Sequence, residues 1–325
     1  MSEELLEPAV GEPEVVFHPG GKSFKARLIH LLTRLFVWTT LSYWPMRGPL
    51  ARLMVVPELV LRLLPRLRST QFVPVDGDDW RAELVQRRGE HTKPGALLYL
   101  HGGAFLFCGL ATHRRVVEVL ALRTGLPVLS VQYRQLPVGL LDDSIADALQ
   151  AYRWLVAQGH DPRSIVCVGD SAGGHLAFAL ALKLRELGLP APAGVVGLSP
   201  WLDFDSTLKS AHPNARRDVM IPHRRLDRAG RRVTATPNGM VIDPTRSPVN
   251  AVLTGFPPVQ LHCAQDEVLR HDSELMADRL AAAGVPCTLH IWEGQVHAFP
   301  VLADALPESR AANKLIAQFV ADVVS

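Results

Sequence analysis

Between residues 96 and 323, short apolar runs alternate with stretches whose apolar residues recur at helical spacing, and no other feature restricts the chain so much. The runs are ALLYL (96–100), PVLSVQ (127–132), SIVCV (164–168), AGVVGLSP (193–200), residues 257–263 and PCTLHIW (286–292). Helical patterns fall between and after them, at about 112–124, 141–158, 172–187, 272–283 and 308–323. Strands that are apolar on both faces must be covered on both, so the pattern predicts an α/β fold, a mostly parallel central sheet with helices on either side. Upstream, residues 70–76 and 80–87 alternate as an antiparallel pair around Asp76-Gly77-Asp78-Asp79. A chain of 325 residues with 48% apolar content can bury one large core, so a single domain with insertions is expected.

Two segments stand outside this pattern. Residues 203–250 are arginine-rich, broken by prolines and without a strong period, which predicts an inserted helical lid. Residues 1–69 form the second, an N-terminal segment and helical cap, leaving 70–325 as the main domain that carries the insert. From Lys22 to Arg68 nine Lys or Arg face Glu58 alone, a local excess of +8 in a chain whose net charge is only +2. LFVWTTLSYW (35–44) and LMVVPELVLRLL (53–64) are apolar, but Pro45, Pro57, Arg47, Arg52 and Arg62 interrupt them. They fall short of the ~20 residues a membrane span needs. Two or three amphipathic helices are expected, which either close a core or also rest on anionic lipid through residues 22–68.

The near-neutral total gives no reason to expect nucleic acid. Cys108, Cys167, Cys263 and Cys287 lack metal-ligand spacing, and three of them sit in strand-like runs, so no metal is expected and a reducing, cytoplasmic compartment is. The opening MSEELLEPAVGEPEVV is acidic and proline-broken, unlike a secretory signal. A peripheral membrane contact and a homodimer are the assemblies left open.

Chemistry enters at VGDSAGGHLA (168–177). The run SIVCV feeds Gly169-Asp170-Ser171-Ala172-Gly173, a G-x-S-x-G turn that opens a helix, which is the context that gives so short a match its meaning. Such a turn holds Ser171 out of the sheet and aims the helix N-terminal amides at whatever the serine attacks. A serine hydroxyl needs a base, and the base needs an orienting acid. His297 in GQVHAF follows the strand PCTLHIW, whereas His290 lies within that strand. The acid should leave the sheet one strand earlier, in HCAQDEVLRHD (262–272). Asp266 is favoured because it is nearest the strand's carboxyl end, with Glu267 and Asp272 as competitors. The order Ser171, Asp266, His297 is the nucleophile, acid, base order of α/β hydrolases. After ALLYL stands His101-Gly102-Gly103-Ala104-Phe105, whose glycine pair lets backbone amides approach an oxyanion, complemented by the amide of Ala172.

Together, LLYLHGGAF with Thr112-His113 downstream, GDSAGGHLA, SPWLDF (199–204), the Asp266 segment and VHAF resemble the hormone-sensitive-lipase-like family of α/β hydrolases, over about residues 70–325. The resemblance implies an α/β-hydrolase fold with a helical cap over the sheet's carboxyl edge. It implies a cofactor-free carboxylic ester hydrolase acting through an acyl-enzyme on small-molecule esters with short to medium acyl chains. The implied oxyanion donors are the amides of Gly102, Gly103 or Ala104 with Ala172, and His101 and Trp201 are assigned to the substrate pocket. Amide or lactone hydrolysis would use the same groups. A non-catalytic ligand receptor, as in the plant gibberellin receptors, would lack the histidine that stands here at 297. The chain departs from the family at Gln132-Tyr133-Arg134-Gln135-Leu136-Pro137-Val138, where two acids of the usual pattern are missing, which puts local ion pairing with Arg134 in doubt.

Overall fold

A computed structural model describes residues 11–21, 23–45, 53–89, 95–235 and 239–324. Residues 1–10 of the opening segment and Lys22, Arg47 and Arg52 of the basic stretch lie outside them. The strands are β1 (Glu14–His18), β2 (Thr70–Asp76), β3 (Arg81–Arg87), β4 (Ala96–Leu100), β5 (Val128–Gln132), β6 (Ile165–Asp170), β7 (Gly194–Leu198), β8 (Val259–Ala264) and β9 (Cys287–Trp292). They form one sheet in the order β1-β9-β8-β7-β6-β4-β5-β3-β2. From β1 to β5 all neighbours run parallel, while β3 pairs antiparallel with both β5 and β2.

Every residue of β4, β6, β7 and β8 is buried, as the unbroken apolar runs require. Successive side chains of a strand point to opposite faces. Ile165 and Cys167 therefore join one core, with α5 (Leu141–Ala157), α6 (Ala172–Glu186) and α10 (Arg270–Ala282), and Val166 and Val168 join the other, with α4 (Leu110–Thr124) and α11 (Pro307–Val324). Each fully buried aliphatic side chain contributes roughly 1.5–3 kcal/mol of burial free energy.

The strand β1 was not expected from the sequence. It adds to the sheet edge parallel to β9, with His18 opposite Trp292. A polar chain anchors it: Trp292 Nε1 donates to His262 Nδ1 at 3.2 Å, and His262 Nε2 and Gln260 Oε1 are 3.1 Å apart. Gln260 Nε2 lies 3.3 Å from His290 Nε2, and His290 Nδ1 lies 3.0 Å from His18 Nε2. An indole nitrogen can only donate, so its bond fixes each tautomer in turn, with His262 donating to Gln260, Gln260 to His290 and His290 to His18.

Before β2 lie α1 (Phe24–Leu32), a π turn (Thr33–Val37), α2 (Trp38–Tyr43) and α3 (Val56–Leu61). After β7 the chain makes the short helices α7 (Thr207–Ala211), α8 (Asn214–Arg217) and α9 (His223–Val233). A buried ion pair ties this insert to the body. Lys209 Nζ lies 2.9 Å from Asp272 Oδ1, and both side chains are fully enclosed. The other oxygen, Asp272 Oδ2, accepts from the amides of Leu202 and Asp203. Asp272 is thereby committed to structure. Arg134 is ion-paired without the two missing acids. Its guanidinium is held by Asp147 from α5, at 2.7 Å for the closest contact, with Asp79 and Asp143 at 3.4 and 3.6 Å.

Candidate active site

The parallel strands end together, and the loops leaving β4, β6, β7, β8 and β9 meet at that carboxyl edge, where open α/β sheets bind their ligands. Ser171 sits between β6 and α6 with φ 51° and ψ −116°, a region that non-glycine residues avoid. Its amide donates to Leu198 O and its carbonyl accepts from Trp201 N, so β7 and the loop after it hold the turn from both sides. The flanking glycines are required by contact. A side chain on Gly169 would strike the Gly173 carbonyl, and one on Gly173 would strike the Leu100 carbonyl. Among the described residues the Ser171 hydroxyl makes no hydrogen bond, and Ser171 lines a cavity of about 1820 Å3 together with His297, Trp201, Gly103 and Ala104.

His297 is 6% exposed, on the loop after β9. The next residue, Ala298, has φ 52° and donates its amide to Ser199 Oγ at 2.9 Å, which fastens the histidine loop to the end of β7. The acid that meets the imidazole is Glu267 and not Asp266. His297 Nδ1 donates to Glu267 Oε2 at 2.8 Å, and Glu267 Oε1 accepts from the amide of Ala264 at the end of β8. Asp266 is 37% exposed, and its carboxylate lies 3.8 Å from Arg217. Asp266 stands second and Glu267 third after β8, and it is the third that the loop turns inward to the imidazole. Burial works against a charge on His297, but the hydrogen bond and negative charge of Glu267, with Asp218 and Asp170 behind, outweigh it and raise the imidazole above its ordinary range.

Two buried carboxylates that the sequence reading did not single out organise the surroundings. Asp170, just before Ser171, accepts from Tyr99 Oη at 2.8 Å and from the Gly102 amide at 3.0 Å, and lies 3.2 Å from His113 Nε2. The Gly102 amide is thus engaged and is withdrawn from the expected oxyanion donors. Gly103, with φ 117°, and Ala104, with φ 53°, carry the chain away, and their amides find no acceptor among the described residues. The Ala172 amide opens α6, where no carbonyl lies one turn back. His101 does not reach the cavity. It is wholly buried, its Nδ1 2.7 Å from Gly102 O and its ring stacked on Tyr133. Trp201 does line the cavity and packs edge-on against Phe204.

The second carboxylate, Asp218, comes from the insert. It accepts from the amides of Met220 and Ile221 at 2.7 and 2.9 Å and from Val268 at 2.8 Å, so the insert is tied to the residue following Glu267. Asn214 Nδ2 adds bonds to the carbonyls of Gln265 and Glu267. Burial raises the Asp218 carboxyl to about 6 against the effect of these donors. Its place within an arginine-rich, aperiodic stretch gave no sequence signal. Among the described residues no cluster of His, Cys, Asp and Glu could hold a metal ion.

A parallel sheet with this strand order and a strained serine at the strand-to-helix turn defines an α/β hydrolase, and a family model described as the alpha/beta hydrolase fold matches residues 97–301. The chain is 41% identical to the esterase LipU of Mycobacterium tuberculosis over 273 residues, 82% of this chain and 91% of that protein. It is 34% identical to the carboxylesterase/phospholipase LipF of the same organism over 312 residues, 94% of this chain and 83% of that one. A crystal structure of an esterase from the bacterial hormone-sensitive lipase family superposes with a TM-score of 0.82 at 30% identity, covering 94% of this chain and all of that one. The chain belongs to the hormone-sensitive-lipase-like esterases of the α/β-hydrolase superfamily. Its activity is carboxylic ester hydrolysis.

Proposed function

We propose that Ser171, His297 and Glu267 carry the hydrolysis through an acyl-enzyme. The Ser171 hydroxyl oxygen attacks the ester carbonyl while His297 Nε2 takes its proton. The C–O bond to the alcohol then breaks, and the alcohol leaves with that proton. Water repeats the sequence on the acyl-enzyme and releases the acid. Glu267 keeps the proton of the neutral imidazole on Nδ1 and stabilises the imidazolium. The amides of Gly103, Ala104 and Ala172 receive the oxyanion, each such donor being worth about 3 kcal/mol in the transition state. The observation that carries this reading is the 2.8 Å contact between His297 Nδ1 and Glu267 Oε2, which leaves Nε2 for the serine on the same cavity.

The substrate is a small-molecule ester with a short to medium acyl chain, lying against Trp201. The N-terminal helices and the 203–250 insert act as the cap: Ile29, Val37 and Leu41 from one and Ile221, Leu226 and Ala229 from the other line the cavity. At about 1820 Å3 the cavity exceeds the roughly 300–1,000 Å3 of ordinary small-molecule sites, which supports a bulky alcohol portion beside a modest acyl group. We infer separately a peripheral contact with an anionic membrane through residues 22–68, which the kinship with a protein named carboxylesterase/phospholipase supports. The test is release of nitrophenol from esters of graded chain length, with nitroanilides in parallel. Ester turnover that vanishes in Ser171→Ala is expected. Ester turnover undiminished in Ser171→Ala would overturn the mechanism, and preferential anilide cleavage would move the substrate to amides.

A further inference from the structure

The helical path α1, π turn and α2 is apolar on two sides. Its inner side encloses Ala26 and Thr33 and turns the half-buried Ile29, Val37 and Leu41 to the cavity. Its outward face carries Phe24, Leu28, Leu31, Leu32, Leu35 and Phe36, all exposed, with Phe24 at 83%. Beyond it, Leu59, Val60, Leu63 and Leu64 on and after α3 are exposed as well, Leu63 at 85%. A helix covering a soluble core points such a stripe inward, and an outward patch of this extent marks a surface that something else covers.

Charge identifies what covers it. Lys25, Arg27, Arg34 and Arg68 are exposed beside these apolar residues, as is Arg62, whose Nε lies 3.6 Å from Glu58 Oε1. Glu58 is the sole acid from Lys22 to Arg68. Its carboxylate is buried and turned inward, each oxygen accepting one amide of the first turn of α4, Ala111 or Thr112, at 2.9 Å. The face therefore presents apolar side chains among cations, with no exposed acid among the described residues from 23 to 68. A second copy meeting this face by two-fold symmetry would set like charge against like. An anionic lipid surface satisfies both the cations and the leucines.

We propose that α1, α2 and α3 dock on an anionic bilayer through this face, and that the cavity is filled from the lipid side. The same helical path supplies Ile29, Thr33, Val37 and Leu41 to the cavity wall, so the docked helices separate the bilayer from Ser171 and His297. The acyl ester then passes between these helices instead of through water. The docking itself stands apart from the ester-hydrolase reading; only the lipid-side route rests on it.

Co-sedimentation with vesicles of phosphatidylcholine alone, or with phosphatidylglycerol added, reads the docking directly. The wild-type chain should bind the anionic vesicles and lose that binding at high salt, by roughly fivefold in partition for each basic side chain engaged. Leu28→Ser/Leu31→Ser/Leu35→Ser and, separately, Lys25→Glu/Arg34→Glu should each lower binding by at least about tenfold. None of these side chains lines the cavity, so both variants should hydrolyse soluble nitrophenyl acetate like the wild type, yet lose turnover of a fluorogenic acyl ester embedded in anionic vesicles. Equal recovery on neutral and anionic vesicles, or binding untouched by either variant, would overturn the proposal. A wild-type dimer in sedimentation velocity that the leucine variant dissolves, with no vesicle binding, would assign the face to a second copy. A wild-type chain that binds vesicles but fails on soluble esters would leave the docking standing and refute the hydrolase reading.

Discussion

His297 Nδ1 and Glu267 Oε2 lie 2.8 Å apart, with 5% and 1% of their side chains exposed. A proton added to this imidazole is thus stabilised by a carboxylate where little water can screen the pair. In the proposed mechanism the neutral imidazole is the base, so a raised His297 pKa places the acid limb of the kcat/KM profile above pH 6.5, activity rising as the proton leaves. Glu267→Gln removes the charge and should move that limb to lower pH while reducing kcat by about 10³–10⁴-fold. A pH–rate series on both proteins measures it. An unmoved limb in the variant would break the link between Glu267 and the base.

Asp266→Asn should leave kcat within about twofold of wild type, because its carboxylate meets only a loose contact to Arg217 at 3.8 Å and such exposed pairs are worth about 0–1 kcal/mol. Steady-state kinetics of the purified variant decide this. A loss comparable to that of Glu267→Gln would return the orienting role to Asp266.

Ser171→Ala should abolish ester hydrolysis with a melting temperature within a few degrees of wild type. The hydroxyl has no partner among the described residues, and alanine inherits the same φ of 51°. Calorimetry beside the ester assay tests both halves. A collapsed melting temperature would mean that the hydroxyl serves the fold.

Trp201→Ala should shift the acyl-chain optimum of kcat/KM to longer nitrophenyl esters, since each further buried methylene adds about 0.8 kcal/mol until the space is full. Because Trp201 is 1% exposed and packs on Phe204, a fall in stability of about 3–5 kcal/mol is expected alongside. An optimum unchanged from acetate to palmitate would leave the indole as an anchor of the insert alone.

The histidine chain from β8 to β1 should make the sheet edge acid-labile. Burial lowers His290 to about 4, and His262 and His18 below their ordinary range, so the unfolded chain binds more protons between pH 6.5 and about 4. Stability is then complete above pH 6.5 and falls as pH drops through that window, by up to about 2 kcal/mol from His290 alone between pH 7 and 5. His290→Gln keeps hydrogen-bonding groups without the titration, and its melting temperature should drop less between those two pH values. An equal drop in both proteins would place the acid sensitivity elsewhere.

Much of the fold was legible because it is locally encoded. Strands such as Ile165–Asp170 and Val259–Ala264 are apolar on both faces, and no other element accommodates that pattern at that length. The turn at Ser171 was equally legible, since only glycines tolerate the approach of the Gly173 and Leu100 carbonyls. The strand at Glu14–His18 was not, because five residues gain strand character only by pairing with Cys287–Trp292 almost three hundred positions away.

The sequence by itself determined the sheet, the serine turn, the histidine loop and the basic apolar N-terminal stretch, each written in contiguous residues. Tertiary structure alone chose Glu267 over Asp266. The two are adjacent and chemically alike, and the choice came from the Ala264 amide, the carbonyls held by Asn214 and the Val268 amide held by Asp218. It likewise took the Gly102 amide from the oxyanion donors by bringing up Asp170, buried His101 under Tyr133, and restored the partners of Arg134 from α5 and the β2–β3 turn. The physical reason is common to all four. A buried polar group must be satisfied by whatever the fold sets beside it, and those neighbours come from segments whose separation in the chain carries no local signal.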